Sequence, residues 1–327
     1  MKFPRRRFLH LAGVAAAVVV LSVAVIGHGA WSQDARTIKI VVPYPPGGGG
    51  DVLARLLAEQ IGRTQGRSIV IENRAGASTV IGTEAASRAP PDGNTVLITS
   101  SDLITTAHFR KLSYNPITSF EPICQLASAP PVIVINNESP YRTLADLINA
   151  ARASPGNLTL GAGIGTIFHV GSEMLKRVAK FEMTNVPYPG AAPAVTALLG
   201  GHITSIFYGY PGVMEQLKSG KLRALATTSH NRIGSLPDVP TVAESGYKDF
   251  EVDLWFAAFA PARTPKAAVS QLSSWFNTAI QVSDVGAKLV AQGYYPAVTC
   301  GADFAALLRK QFDEFGRVIR EANIKAE

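Results

Sequence analysis

Residues 38–57 read Ile-Lys-Ile-Val-Val-Pro-Tyr-Pro-Pro-Gly-Gly-Gly-Gly-Asp-Val-Leu-Ala-Arg-Leu-Leu. The first five are β-rich and apolar apart from Lys39. After the prolines and glycines, Val52, Leu53, Leu56, Leu57 and Ile61 recur at helical spacing. Strand, glycine loop and helix form the opening unit of an α/β domain. Four consecutive glycines cost conformational entropy, so the loop needs a reason.

Further along, residues 68–72 read as a strand, 82–89 as a helix stopped by Pro90-Pro91-Asp92-Gly93, and 95–99 as a strand. This β-α-β-α-β order implies a mostly parallel, doubly wound sheet. A second series follows, with strands at 131–135, 158–161, 185–187, 203–207 and 222–227. Its helices fall at 144–153, on the face of Ile167, Val170, Met174, Leu175 and Val178, and at 192–199. A strand at 252–260 leads to two helices. One is capped by Thr264 with Pro265 at its first position; the other runs from about 302. The expectation is two α/β lobes with a chain that crosses between them.

The N-terminus reads as a leader. Lys2, Arg5, Arg6 and Arg7 precede an apolar run from Leu11 to Ile26, and an Ala-x-Ser site would release a chain starting near Gln33. Arg5-Arg6-Arg7-Phe8-Leu9 fits the twin-arginine pattern, and the apolar run is short for a membrane anchor. Removing residues 1–32 takes the charge from 31 − 24 = +7 to 27 − 24 = +3. The basicity lies mostly in the leader, so nucleic acid is not an expected partner. Cys124 and Cys300 could pair in an oxidising compartment, but their spacing does not require it. Two buried free thiols are expected.

In open α/β sheets, ligands bind where strands end and helices begin. Four such junctions are rich in small residues: residues 43–51, Thr99-Ser100-Ser101-Asp102, Gly161-Ala162-Gly163-Ile164-Gly165-Thr166 with His169 one turn on, and Pro187-Tyr188-Pro189-Gly190-Ala191-Ala192. Backbone N–H groups at a helix start bind carboxylate or phosphate. Each junction also has a plainer reading; residues 43–50 could be only a tight turn and Asp51 only a helix cap. The spacing of Gly161, Gly163 and Gly165 is not the dinucleotide fingerprint. No nucleophile elbow and no His-Glu-x-x-His occurs, and the His and Cys residues show no metal-ligand spacing. No catalytic residue, metal or cofactor is expected. His108 and His202 read as ordinary surface positions, and His169 as a ligand contact or a brace for its loop.

The runs "IKIVVPYPPGGGGDVLARLLAEQIG", "VIENRAGASTVIGTEAASRAPPDGNTVLI", "GNLTLGAGIGTIFHVGSEMLK", "NVPYPGAAPAVTALLGGHI" and "GKLRALATTSHNRIGSLPDVPTVAESGY" carry a resemblance. In order and spacing they resemble the extracytoplasmic substrate-binding proteins of tripartite tricarboxylate transporters, the TctC or Bug-type family. The resemblance implies a type-II periplasmic-binding-protein fold: two doubly wound α/β lobes closing on a small carboxylate-bearing solute, which is then delivered to a membrane permease. It implies a monomeric periplasmic protein with a leader at 1–32, a first lobe at 33–129 and 229–327, and a second at 130–228. The alternative is an exported receptor presenting its solute to a signalling partner. Carried over residue by residue, it points to Tyr44, Pro46, Gly47, Gly48, Asp51, Ser100 and Ser101 from one lobe. From the other it points to Gly163, Gly165, Thr166, His169 and Tyr188. Where many members have a cleft-facing Asp, this chain has Tyr208, within Gly200-Gly201-His202-Ile203-Thr204-Ser205-Ile206-Phe207-Tyr208-Gly209. Tyr208 carries no charge to pair with a ligand ammonium, so α-amino acids are not expected to be favoured. A neutral-tailed, aromatic or dicarboxylic acid suits it better.

Overall fold

A computed structural model describes residues 37–325; the expected leader lies outside them. The chain first lays down β1 (Thr37–Val42), β2 (Ser68–Asn73), β3 (Thr95–Ser100) and β4 (Phe120–Ser128). It then lays down β5 (Pro131–Asn136), β6 (Thr159–Ala162), β7 (Thr184–Pro187), β8 (Ser205–Gly209) and β9 (Leu222–Thr227), and returns for β10 (Trp255–Pro261) and β11 (Tyr295–Cys300). The helices between them are α1 (Gly49–Gln65), α2 (Val80–Ser87), α3 (Asp102–Thr105), α4 (Leu144–Ala153), α5 (Ile167–Ala179), α6 (Ala191–Leu199) and α7 (Met214–Lys218). Three more follow: α8 (Lys266–Gln281), α9 (Ser283–Ala291) and α10 (Gly301–Glu321).

Two sheets result, with a shared strand plan. The first has the order β11-β4-β10-β3-β1-β2 and the second β7-β6-β8-β5-β9. In each, parallel strands run second, first, third, and the next place is taken by an antiparallel strand. That strand is β10 in the first sheet and β5 in the second. Each is the strand with which the chain enters the sheet from the other one. Helices on both faces bury the strands, so β3 is buried at every position and reads as a continuous run rather than an alternation.

Local signals set the helices. α1 turns Leu53, Leu57 and Ile61 inward and stops at Gly66, whose φ of +60° is the left-handed C-cap. α4 begins in a capping box made by Thr143 and Asp146. α10 buries Phe304, Leu308, Phe315 and Ile319, and its Gln311 Oε1 accepts from Trp255 Nε1 at 2.6 Å. Pro265 stands at the N-cap of α8 rather than at its first position, while the Thr264 hydroxyl donates back to the Pro261 carbonyl.

Two strand crossings lie side by side between the sheets. Ala129 N–H donates to the Leu254 carbonyl at 2.7 Å, and Val252 N–H to the Thr228 carbonyl at 2.9 Å. Ser128 Oγ donates to Asp253 Oδ1 at 2.5 Å. Such short backbone segments are where two lobes can hinge.

Two further expectations are corrected. Cys124 and Cys300 are not free thiols: they form a disulfide, with Cα atoms 4.1 Å apart. They are opposed on β4 and β11. Neither strand stands out in the sequence, because Pro122 and Pro296 interrupt them. His108 is not an ordinary surface residue. It is half-buried against the Phe312 ring, 4.4 Å between centroids, with Nε2 3.0 Å from the Phe312 carbonyl, because α10 folds back over it.

Candidate functional site at the strand ends

The loop between β1 and α1 is held from behind. Asp51 is only 2% exposed; its Oδ2 accepts from Gly47 N–H and from Arg55 Nε, and its Oδ1 from Asn73 Nδ2, each at 2.8 Å. Burial alone would raise its pKa, but these hydrogen bonds outweigh it and keep the carboxyl below its usual range. Asp51 therefore braces the loop, and the N-cap is Gly48. Gly47 takes a φ of +77°, open to glycine. A Cβ on Gly49 would run into the Tyr294 hydroxyl and one on Gly50 into the Tyr44 ring. Tyr44, Phe256 and Tyr294 form a chain of edge-to-face rings with centroids 6.0 and 5.7 Å apart. The glycines let the start of α1 lie directly against this aromatic wall. Pro46 and Gly47 are exposed at the loop's tip.

The second junction is tied to the first. Tyr44 Oη donates to Ser100 Oγ at 2.8 Å and accepts from Ser100 N–H at 2.9 Å. Burial and the nearby Asp102 charge push the Tyr44 phenol upward, so it stays protonated. Ser101 is fully buried, its N–H donating to the Trp255 carbonyl at 3.0 Å.

In the second sheet, Gly161-Ala162-Gly163-Ile164-Gly165-Thr166 closes on itself. Thr166 Oγ1 donates to the Gly163 carbonyl at 2.5 Å and accepts from Phe168 N–H at 3.3 Å, making it the N-cap of α5. Gly165 has a φ of +75°, and its N–H donates to His169 Nδ1 at 3.3 Å. His169 is 4% exposed; burial lowers its pKa, so the ring is neutral with its proton on Nε2. It braces the loop and stacks on Phe109, with the ring planes 26° apart and centroids 6.0 Å apart. Tyr208 is buried against Phe168, and its hydroxyl donates to the Tyr188 carbonyl at 3.1 Å. The hydroxyl at the departing position is thus engaged by its own lobe.

Most of the side chains singled out in the sequence are occupied in shaping loops. What the loops leave open is backbone. The N–H groups of Gly49 and Gly50, at the start of α1, have no hydrogen-bond partner among the described residues. The same holds for Ala191 and Ala192 at the start of α6, whose N-cap Gly190 offers no side chain. These are the orphan donors of helix N-termini, where the helix dipole also favours an anion. Asn73 at the end of β2, Phe256 near the start of β10 and Tyr294 just before β11 carry no local motif and do not stand out in the sequence.

The tripartite tricarboxylate transporter family receptor (TctC) profile matches residues 53–324. The chain belongs to this family. The receptor is 33% identical to the protein BugT of Bordetella pertussis over 322 residues, spanning 97% of this chain and 96% of BugT. The solved periplasmic binding protein BugD is 31% identical and superimposes with a TM-score of 0.78, over 89% of this chain and 99% of BugD. An R. palustris protein solved with adipate is 30% identical, with a TM-score of 0.81 over 90% and 99% of the two chains. The fold is that of type-II periplasmic binding proteins, and the family is one of periplasmic solute-binding receptors.

Proposed function

We propose that this TctC-family receptor captures a small carboxylate-bearing solute between its two lobes in the periplasm. It then delivers the solute, as a monomer, to a membrane permease of the tripartite tricarboxylate type. The observation that carries this reading is the pair of uncapped helix starts at the strand ends. One, at Gly49 and Gly50, follows the first sheet, and the other, at Ala191 and Ala192, follows the second. Each offers two backbone donors to an anion, so a solute with a carboxylate at one or both ends would bridge the lobes and favour the closed state. The adipate-bound neighbour supports the solute class.

In this reading the lobes comprise residues up to 129 and from 229 on one side and 130–228 on the other. Pro46, Gly47 and Gly48 present the first loop, Gly163, Gly165 and Tyr188 the second. Tyr44, Asp51, Ser100, Ser101, Thr166, His169 and Tyr208 hold these loops in place. Tyr208 puts no charge opposite a ligand ammonium, so α-amino acids bind weakly. The aromatic wall of Tyr44, Phe256 and Tyr294 suits an apolar or aromatic solute body.

A thermal-shift screen of mono- and dicarboxylates, aromatic acids and amino acids tests this. An acid at about a hundred times its dissociation constant stabilises the fold by roughly 2.7 kcal/mol. A screen in which no carboxylate shifts the melting point would overturn the reading; tight glutamate or aspartate binding would overturn the role given to Tyr208. Solute uptake lost on deleting the candidate permease tests the delivery step.

A further inference from the structure

Asp102 is the first residue of α3, immediately after Ser100 and Ser101 at the end of β3. Its Oδ1 accepts a hydrogen bond at 3.1 Å from the backbone N–H of Ile167, the first residue of α5. β3 belongs to the first sheet, and α5 follows β6 of the second. The bond therefore ties one lobe to the other. Asp102 is anchored from its own side too. Its N–H donates to Ser100 Oγ at 3.2 Å; burial raises the pKa of its carboxyl, and the hydrogen bond from Ile167 N–H offsets part of that rise.

The three long helices that begin at the glycine-containing loops differ in one respect. α1 and α6 start with backbone donors that have no partner among the described residues. At α5 the Thr166 side chain takes the Phe168 N–H and the Asp102 carboxylate takes the Ile167 N–H. An anion at a helix start is what the helix dipole favours, and at α5 the protein supplies that anion itself, from the opposite lobe.

We propose that Asp102 is a tethered competitor of the solute and a specificity-determining residue of the cleft. Its carboxylate fills the anion position at α5 and leaves those at α1 and α6 to the solute. The receptor therefore accepts mono- and dicarboxylates and excludes tricarboxylates. A third solute carboxylate would have to displace Asp102 from the Ile167 N–H or lie beside its negative charge in a half-buried site, where like charges are poorly screened. The selection of solutes rests on the solute-binding reading above. The cross-lobe tie does not, because it forms without a solute.

The test compares the exported protein with its Asp102→Ala and Asp102→Asn variants. Without solute, small-angle scattering should show a larger radius of gyration for Asp102→Ala. Asp102→Asn retains an acceptor for Ile167 and should stay near the parent value. In titration calorimetry the parent should prefer adipate to tricarballylate by more than tenfold, and both variants should lose at least tenfold of that preference. An unchanged radius in a folded Asp102→Ala variant overturns the tie, and an unchanged preference overturns the selector. Should Asp102→Ala fail to fold, the preference of Asp102→Asn decides. Should neither acid bind any of the three proteins, the solute-binding reading falls, while the radius still decides the role of Asp102.

Discussion

In the first lobe, residues 43–50 lead into a helix whose opening N–H groups have no partner among the described residues, with Asp51 turned back under the loop to hold Gly47, Arg55 and Asn73. In the second, residues 161–166 lead into a helix whose opening N–H groups are taken by Thr166 and by Asp102. Both are glycine-rich strand-to-helix turns. The first is built to leave donors open and the second to close them, so glycine content alone does not mark the donors a solute can reach. The open donors of the second lobe sit one junction later, at Ala191 and Ala192.

The largest asymmetry is covalent. Among the described residues only the first sheet carries an extra edge strand, β11, and the disulfide staples it across a sequence separation of 176 residues. Replacing both cysteines by serine should lower unfolding stability by about 2–4 kcal/mol in denaturant melts. A loss well below 1 kcal/mol would show that the edge is held by packing alone.

Next comes Asp51→Asn, which leaves buried donors poorly matched and should cost about 2 kcal/mol. Because the hydrogen bonds hold the folded carboxyl below its unfolded pKa, the contribution of Asp51 is present above the unfolded value, 3.8. It is lost as pH falls through the folded one. A stability profile of the variant parallel to that of the parent down to pH 2 would refute the brace.

Between the lobes, burial pushes Asp253 up to about 6 from 3.8, against the hydrogen bond from Ser128, with Glu251 adding to the rise. The folded state then binds a proton more readily than the unfolded one, so stability declines as pH rises from about 4 to about 6. Asp253→Asn should remove that slope and gain on the order of 1–2 kcal/mol at pH 7. An unaltered slope would exclude Asp253 as its source.

The smallest effects separate the two loops most directly. A Cβ on Gly48 would meet the Pro45 carbonyl at 3.1 Å. Gly48→Val should weaken binding of the acid found in the screen about tenfold, or ~1.4 kcal/mol, with little change in melting. Gly165→Ala should do the reverse. Its φ of +75° costs an L-residue about 1 kcal/mol of stability, while affinity falls less than at Gly48. Equal effects on binding at both positions would erase the distinction.

The alternation of strands and helices was legible in the sequence because each element carries its own periodicity. Residues 38–42 and the stripe of Leu53, Leu57 and Ile61 needed no partner to be recognised. β4 and β11 were not legible, since prolines break their pattern and their pairing is with strands far along the chain. The cysteine pair was hidden for the same reason. At the site, the junctions could be named from small residues and turn chemistry. The roles within them could not: Tyr44 meets Ser100 across 56 positions and Asp102 meets Ile167 across 65.

The sequence by itself determined the fold class, the family and the loops that end the strands, because these depend on local periodicity and on motifs read in order. The tertiary structure alone decided which backbone donors stay open, which acids are spent on bracing, and that an Asp of one lobe sits on a helix of the other. Such choices depend on distances between segments that no local pattern encodes.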